Sequence, residues 1–380
     1  GQVVNPAAAA FAVLPPQPLA VEPLEVVSFI VYGLLAIAIA GVVLTLLTDD
    51  RDPSTVLAWL FVIMLLPVLG IVIYFLIGRN FRRDSTRKGA QLRRERISQV
   101  ERSLAPTREA NAAFTEAAIA DLAGTPGGRI ESTGRHESRF LPQPADSVEV
   151  YTAGAQKFPA RLVDMAGAQA YIHLMYLIWE QDELTAKVTE VLLDRLAAGV
   201  EVHIIYDWIS CITYKKDELK RLSTAGATVV PCYKTISHIN YRNHMKMAVI
   251  DGEDVYTGGM NMGQEYIDGG TRFDVWRDTH LRMTGAIVAP YISLVATTWE
   301  INGGKEDLAT GYLKEPVPHA PGEGIPVQML YSSVMTRHKS IRDAFIIALT
   351  NARERISKVE RSLAPTREAN AAFTEAAIAD

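Results

Sequence analysis

The stretch Asn243-His244-Met245-Lys246-Met247-Ala248-Val249-Ile250-Asp251-Gly252, followed by Gly258-Gly259-Met260-Asn261, joins an apolar strand to polar groups of one chemistry. The His244 imidazole can attack a phosphorus atom. The Lys246 ammonium and the Asn261 amide can hold phosphate oxygens, and Gly258 and Gly259 let backbone approach an anion closely. These residue types in the spacing His-x-Lys-x4-Asp-x6-Gly-Gly-x-Asn describe a site that handles phosphodiesters, and the pattern occurs once in the 380 residues.

Outward from this stretch the chain alternates strands and helices. Val148 to Tyr151 reads as a strand, Phe158 to Gly167 as a helix, and the apolar run Tyr171 to Trp179 as a buried strand. A helix from Asp182 to Ala198 and a strand from Val200 to Tyr206, ending at Asp207, come next. A helix from Asp217 to Thr224, a strand from Thr228 to Val230 and the strand Met245 to Ile250 complete the series. Strands in alternation with amphipathic helices imply an α/β fold whose central sheet is covered by helices on both faces.

The hydrophobic content of 48% is not spread evenly. Val26 to Thr48 and Pro53 to Gly78 contain no Asp, Glu, Lys or Arg, and each exceeds the roughly 20 residues that cross a bilayer as a helix. They read as a transmembrane hairpin. Pro67 and Gly70 in the second run are tolerated in membrane helices. The leader before the first run has no basic n-region, which argues against a cleaved signal peptide. Nothing before Arg51 is basic, whereas Arg79, Arg82, Arg83, Arg87, Lys88, Arg93, Arg94, Arg96 and Arg102 crowd the exit of the second run. Positive charge stays inside, so both ends of the hairpin are expected in the cytoplasm, with Asp49 to Asp52 as a short external turn. The same cations would lie against anionic headgroups, each contributing about 1 kcal/mol. Cys211 and Cys232 have no paired spacing that suggests a disulfide framework or a zinc site.

Past the basic segment an Ala- and Glu-rich stretch reads as a surface helix broken at Pro106 and ending at Gly124-Thr125-Pro126-Gly127-Gly128, with a linker from there to about Ala145. Arg94 to Asp121 recurs as Arg353 to Asp380, 28 residues with Gln99 against Lys358 as the one difference. A single near-identical copy at long range is unlike an architectural repeat. The second copy interrupts Ile341 to Ile356, which reads as a helix feeding a strand of a further α/β domain, and a recombined join is expected there. The organisation is then a leader (1–23), the hairpin (24–78), a basic juxtamembrane helix and linker (79–145), a catalytic domain with the single motif (146–320), the start of a second such domain (321–352) and the copy (353–380).

Several further segments add to the motif. Pro53-Ser54-Thr55-Val56-Leu57-Ala58-Trp59, Pro67-Val68-Leu69-Gly70 and Gly78-Arg79-Asn80 come first, then Tyr206-Asp207, Asn243-His244, Ile250-Asp251-Gly252, Glu265-Tyr266 and Trp276-Arg277-Asp278-Thr279-His280. With them, the chain from about Leu24 to Ile356 resembles the bacterial cardiolipin synthases of the phospholipase D superfamily. The resemblance implies a phospholipase D-like mixed-sheet domain and a transphosphatidylation: one phosphatidylglycerol gives its phosphatidyl group to a histidine, and a second accepts it, with water as competitor. It implies no metal or other cofactor. It also implies a multi-pass protein of the bacterial inner membrane with a cytoplasmic catalytic domain, whose partners are the bilayer and anionic phospholipid, phosphatidylglycerol above all.

By the same resemblance His244, Lys246 and Asp251 are the catalytic set, with His244 as nucleophile. Lys246, Asn261, Gly258 and Gly259 bind the phosphate. Asp251 is expected to order its loop, and Asp278, or else Glu265, to pin the His244 ring. Met245 and Met247 stand where relatives commonly carry a basic or aliphatic residue, and Tyr171 to Glu180 brings aromatic bulk near the site; both bear on substrate fit. His173, His203, His238 and His280 lack patterned partners and read as core or loop histidines. That family uses two such motifs, one histidine attacking and the other serving as acid and base, so the single motif implies a chain inactive by itself. Two other readings stand beside this one: a phosphodiesterase that completes its site as a homodimer, and a non-catalytic membrane partner of an intact enzyme. The domain has no basic, aromatic-interleaved groove, so nucleic acid is not an expected partner.

Overall fold

The structure is a computed structural model that describes residues 23–48, 53–78, 99, 102–213, 216–234, 241–270, 276–333 and 339–351. The chain divides into two compact units, Gly1–Asn80 and Phe81–Asp380.

In the first unit, helix α1 (Pro23–Thr48) contains the 23-residue apolar segment Val26–Thr48, of mean hydropathy 2.7. At 1.5 Å per residue that segment spans about 35 Å, enough for a bilayer's hydrocarbon core. Its Phe29, Tyr32, Leu34 and Ile37 are exposed, as a lipid-facing helix requires and an aqueous one does not tolerate. Among the described residues it is the one helix long and apolar enough to cross a membrane.

The second apolar run differs from the single helix expected. It consists of α2 (Pro53–Leu65), α3 (Pro67–Ile73) and a π-helical turn (Tyr74–Gly78). The cause is Pro67, which has no N–H for the Ile63 carbonyl and whose ring would collide with it, so Leu66 leaves helical geometry at φ −134°, ψ 72°. The bend carries Gly70 against the earlier turn: a Cβ there would lie 3.0 Å from both Ile63 Cα and the Val62 oxygen. Tyr74 and Trp59 meet edge to face with ring centroids 5.5 Å apart. The external turn between α1 and α2, the basic segment except Arg102, and the terminal copy lie outside the described residues.

The second unit is built on a seven-stranded sheet. In chain order its strands are β2 (Ser147–Tyr151), β3 (Tyr171–Tyr176), β4 (Glu201–Asp207), β5 (Thr228–Cys232), β6 (Met247–Ile250), β7 (Asp254–Gly258) and β8 (His280–Thr284). Their spatial order is β2-β8-β7-β6-β3-β4-β5. β3, β4 and β5 are parallel, while β6, β7, β8 and β2 pair antiparallel, so the sheet is mixed. The short strands β1 (Gln143–Ala145) and β9 (Ile325–Val327) form a separate pair.

Alternation along β3 sends Ile172, Leu174 and Tyr176 to one face and Tyr171 and Met175 to the other. The first set packs on Phe158 and Met165 of helix α6 (Gly154–Gly167) and on Leu184, Val188 and Leu192 of α7 (Glu183–Ala197). The second packs on Val288, Ile292, Val295 and Trp299 of α10 (Val288–Ile301). Helices thus cover both faces.

Two segments depart from the sequence reading. The linker contains α5 (Pro126–Glu137), because Thr125 caps its N-terminus, accepting from Gly128 N at 3.1 Å, and Pro126 at the first helical position has no N–H to lose. The helix ahead of it runs through Pro106 and yields at Asn111, before α4 (Ala112–Leu122). It is no surface helix: Leu104, Thr107, Asn111, Phe114 and Thr115 are buried.

Candidate active site

Pairing of Met175 with Met247 puts the start of β6 at the end of the sheet where β3, β4 and β5 finish, the usual ligand-binding end of parallel strands. His244 stands three residues ahead of β6, at this rim. Its backbone is fixed from β4. Buried Asp207, the last residue of that strand, accepts from Asn243 N and from Ser210 N, each at 2.8 Å. The buried Asn243 amide reaches Cys232 Sγ at 3.4 Å, and its Oδ1 accepts from Met245 N at 3.2 Å. Asp207 and Asn243 carry no chemistry that the motif announces, yet they hold the residue next to the nucleophile.

Strand alternation places His244 and Lys246 on one face. The ring of His244 is exposed, while Lys246 is buried and donates from Nζ to the His244 carbonyl at 2.6 Å. Burial, with the Lys246 charge adding to it against the opposing pull of Asp278, lowers the His244 pKa, so the imidazole is neutral at pH 7 and keeps a lone pair for attack. Burial brings Lys246 down to about 8, again opposed by Asp278. It therefore retains a positive charge near neutrality.

The Gly258-Gly259 turn brings β7 against the segment that enters β8. Gly258, at φ 154°, has no room for a Cβ beside Thr279 and His280, and a Cβ on Gly259 would overlap the Asp278 carboxylate. Gly259 N donates to Thr279 O at 2.9 Å. These contacts carry Asp278 into the electrostatic field of both His244 and Lys246. Asn261 is buried; its amide donates to Tyr266 Oη at 2.8 Å, and its Oδ1 has no partner among the described residues.

Not every sequence-selected residue gathers here. Asp251 lies past the far end of β6, about 20 Å of extended chain from His244. With φ 51° it accepts from Gln169, Ala170 and Tyr171 N at 2.7 to 2.8 Å and so anchors the start of β3. These contacts agree with the loop-ordering role expected for Asp251. Glu265, at the start of α9 (Glu265–Asp268), packs on Gly270, and no contact with His244 supports it as the ring's orienting group. His238 lies outside the described residues. His173 and His203 stack in a buried aromatic cluster with Tyr312, away from the motif.

Behind the site lie three buried basic side chains, of which Lys157 and Arg161 were not singled out in advance and His280 was read as a core or loop histidine. Lys157 and Arg161, both on α6, and His280 on β8 are fully buried. Arg161 donates to Tyr176 Oη at 2.5 Å. Lys157 Nζ has no hydrogen-bond partner and sits 3.9 Å from the centroid of the Phe158 ring. Burial and then Arg161 drive its pKa well down, against Asp278. His280, also unpartnered, is held neutral by burial and by Lys157, Arg161 and Lys246. The available signal was the i, i+4 placement of Lys157 and Arg161 among the apolar residues of an amphipathic helix.

Residues 161–271, which include the whole motif, match the family described as cardiolipin synthase, phospholipase D-like domain. Residues 33–79 match the phospholipase D-nuclease N-terminal family. Similar curated proteins include the major cardiolipin synthase ClsA of Bacillus subtilis, 29% identical over 321 residues that make up 83% of this chain and 65% of that protein. The cardiolipin synthase of Halalkalibacterium halodurans is 29% identical over 332 residues, 85% of this chain and 63% of that protein. The chain thus spans just under two thirds of the length of these relatives. Among solved structures, a phospholipase D family member, Nuc from Salmonella typhimurium, aligns with a TM-score of 0.33 and 14% identity over 40% of this chain and 94% of its own. Along its sequence the chain is thus similar to cardiolipin synthases, and the part of the sheet domain that carries the motif matches their phospholipase D-like domain.

Proposed function

We propose that the chain is the membrane-anchored first half of a phosphatidyltransferase acting on phosphatidylglycerol. The observation that carries the reading is a neutral, exposed His244 beside the buried cation Lys246. The His244 ring attacks the phosphorus of one lipid; the bond to the glycerol headgroup oxygen breaks, and glycerol leaves with a proton. The phosphohistidine then yields its phosphatidyl group to a hydroxyl of a second phosphatidylglycerol, giving cardiolipin and restoring His244. Lys246 and the Asn261 amide N–H face the phosphate oxygens, and Asp278 orients the ring. Anchoring is supported by the apolar N-terminal helix, and a cytoplasmic catalytic domain by the arginine-rich exit of the hairpin. A cysteine at Asp50 should then be labelled from outside the cell and one at Ser85 protected.

One histidine supplies one of the two proton-coupled roles, and loss of an acid/base group costs about 100- to 10,000-fold. The 380-residue chain is therefore expected to make no cardiolipin above background. A phosphatidyl p-nitrophenyl ester, whose leaving group needs no proton, should still give a burst of one nitrophenolate per chain and a base-stable adduct on His244. His244→Ala should abolish both. An adduct on another residue would defeat this reading. The exposed ring and single motif also suit a second arrangement, in which two copies face each other across a twofold axis. Burst size and turnover that rise together with protein concentration would favour it.

A further inference from the structure

A cavity of about 290 Å³ opens beside the nucleophile. The segment from Asn243 to Met247 forms one wall, and the rest of the lining mixes apolar Leu294, Met329 and Ile341 with Tyr291, Ser332 and Ser333. Because alternation turns Met245 and Met247 away from the Lys246 side, the cavity lies on the methionine face of the strand, next to the α10 core. Thioethers adapt to a flexible chain, and Leu294, Met329 and Ile341 give it apolar surface, while Arg242 and Lys246 also line the cavity. Tyr291 is only 8% exposed and lines the cavity, and among the described residues its hydroxyl makes no hydrogen bond. A buried tyrosine hydroxyl normally finds an acceptor.

Building on the phosphatidyltransferase reading, we propose that this cavity binds one fatty-acyl ester of the lipid whose phosphate lies at His244. The hydrocarbon chain fills the methionine-lined space, and the Tyr291 hydroxyl donates to the ester carbonyl. The polar rim at His244 and the apolar interior at Leu294 and Met329 correspond to the order phosphate, ester, chain along such a molecule. An ether lipid of equal length fills the same space but offers no carbonyl. The site therefore selects ester over ether, by about fivefold, the scale of one net neutral hydrogen bond. Met245 and Met247 acquire a function here, as part of the chain's bed.

The test is competition photolabelling, which needs no turnover. The full chain is reconstituted in vesicles of dialkyl-ether phosphatidylcholine with a phosphatidylglycerol bearing a diazirine near the start of one acyl chain. Labelling is expected on peptides containing Leu294 or Met329, and unlabelled diester phosphatidylglycerol should displace it about five times better than the diether form. Tyr291→Phe should retain labelling and remove that preference; Leu294→Trp, which fills the cavity, should remove labelling while circular dichroism shows the fold kept. Labelling confined to residues 1–80, or an unchanged ester preference in Tyr291→Phe, would overturn the proposal. The readings separate cleanly: cavity labelling without a His244 burst removes the transferase reading and leaves the lipid site, and a burst without cavity labelling does the reverse.

Discussion

The Asp278 carboxylate occupies the space where any side chain on Gly259 would begin. Glycine at this position is therefore a condition for having an acidic group near His244 at all. Gly259→Ala should push Asp278 away and slow the nitrophenyl burst by about 100-fold, the usual cost of a 1 Å misplacement. Gly263→Ala, whose added Cβ would make only ordinary contact at 3.4 Å, is the control and should leave the burst unchanged. Equal rates in the two variants would count against a positioning role for Asp278.

Lys246 should make anion binding depend on pH. Its ammonium holds a phosphate-like ion only while protonated, and burial sets that limit at about 8. Sulfate, whose own charge is constant across the range, should bind about tenfold more weakly at pH 9 than at pH 7, following the protonated fraction. Calorimetric titration would show this, with Lys246→Met weak and flat. His244 adds little to the slope, because its depressed pKa keeps it neutral throughout.

Asp251 is expected to matter for stability rather than chemistry. Asp251→Ala removes the acceptor for three backbone N–H groups and leaves alanine at φ 51°, so unfolding free energy should fall by about 3 kcal/mol or more. Asp251→Asn, which tolerates that backbone and still accepts, should lose less. Denaturant titration gives both values. The His244 burst of the folded protein should persist in either variant, and its selective loss would keep Asp251 in the catalytic set.

Lys157→Met should stabilise the domain, by about 1 to 4 kcal/mol, since a buried unpaired amine gives way to an apolar side chain of similar length. The sign with pH follows from protons. The folded pKa lies well below the ordinary 10.5, so the unfolded chain binds the extra proton at every pH between the two. Wild-type stability from this group rises with pH across that window, and the advantage of the variant should be largest at neutral pH and fade toward pH 10.5. An advantage independent of pH would mean that packing, not charge, is responsible.

The parallel half of the sheet was legible because β3 and β4 are buried on both faces and read as continuous apolar runs between well-marked helices, and the edge strand β5 follows one of those helices. In the antiparallel half β2 and β6 were legible but β7 and β8 were not: Asp254–Gly258 and His280–Thr284 are short and mix Arg282 and Asp254 with apolar residues, and their identity as strands comes from pairing, β7 with β6 and β8 with β7. Within the site, His244, Lys246, Gly259 and Asn261 fall in one short stretch, so spacing alone grouped them. Asp207, Lys157 and Tyr291 reach it from separate elements, and no local pattern records that the sheet brings their ends together.

The clamp between Asp207 and Asn243 reaches beyond the nucleophile. Cys232 and Asn243 are tied to each other as well, so the ten residues from Tyr233 to Arg242 leave and rejoin the sheet at two points already fastened together. Length in that excursion is nearly uncoupled from the chemistry, because doubling it adds only about 0.6 kcal/mol of closure entropy. The two ties give His244 a seat held from β4 and β5 together, so its place ahead of β6 is set by both of those strands.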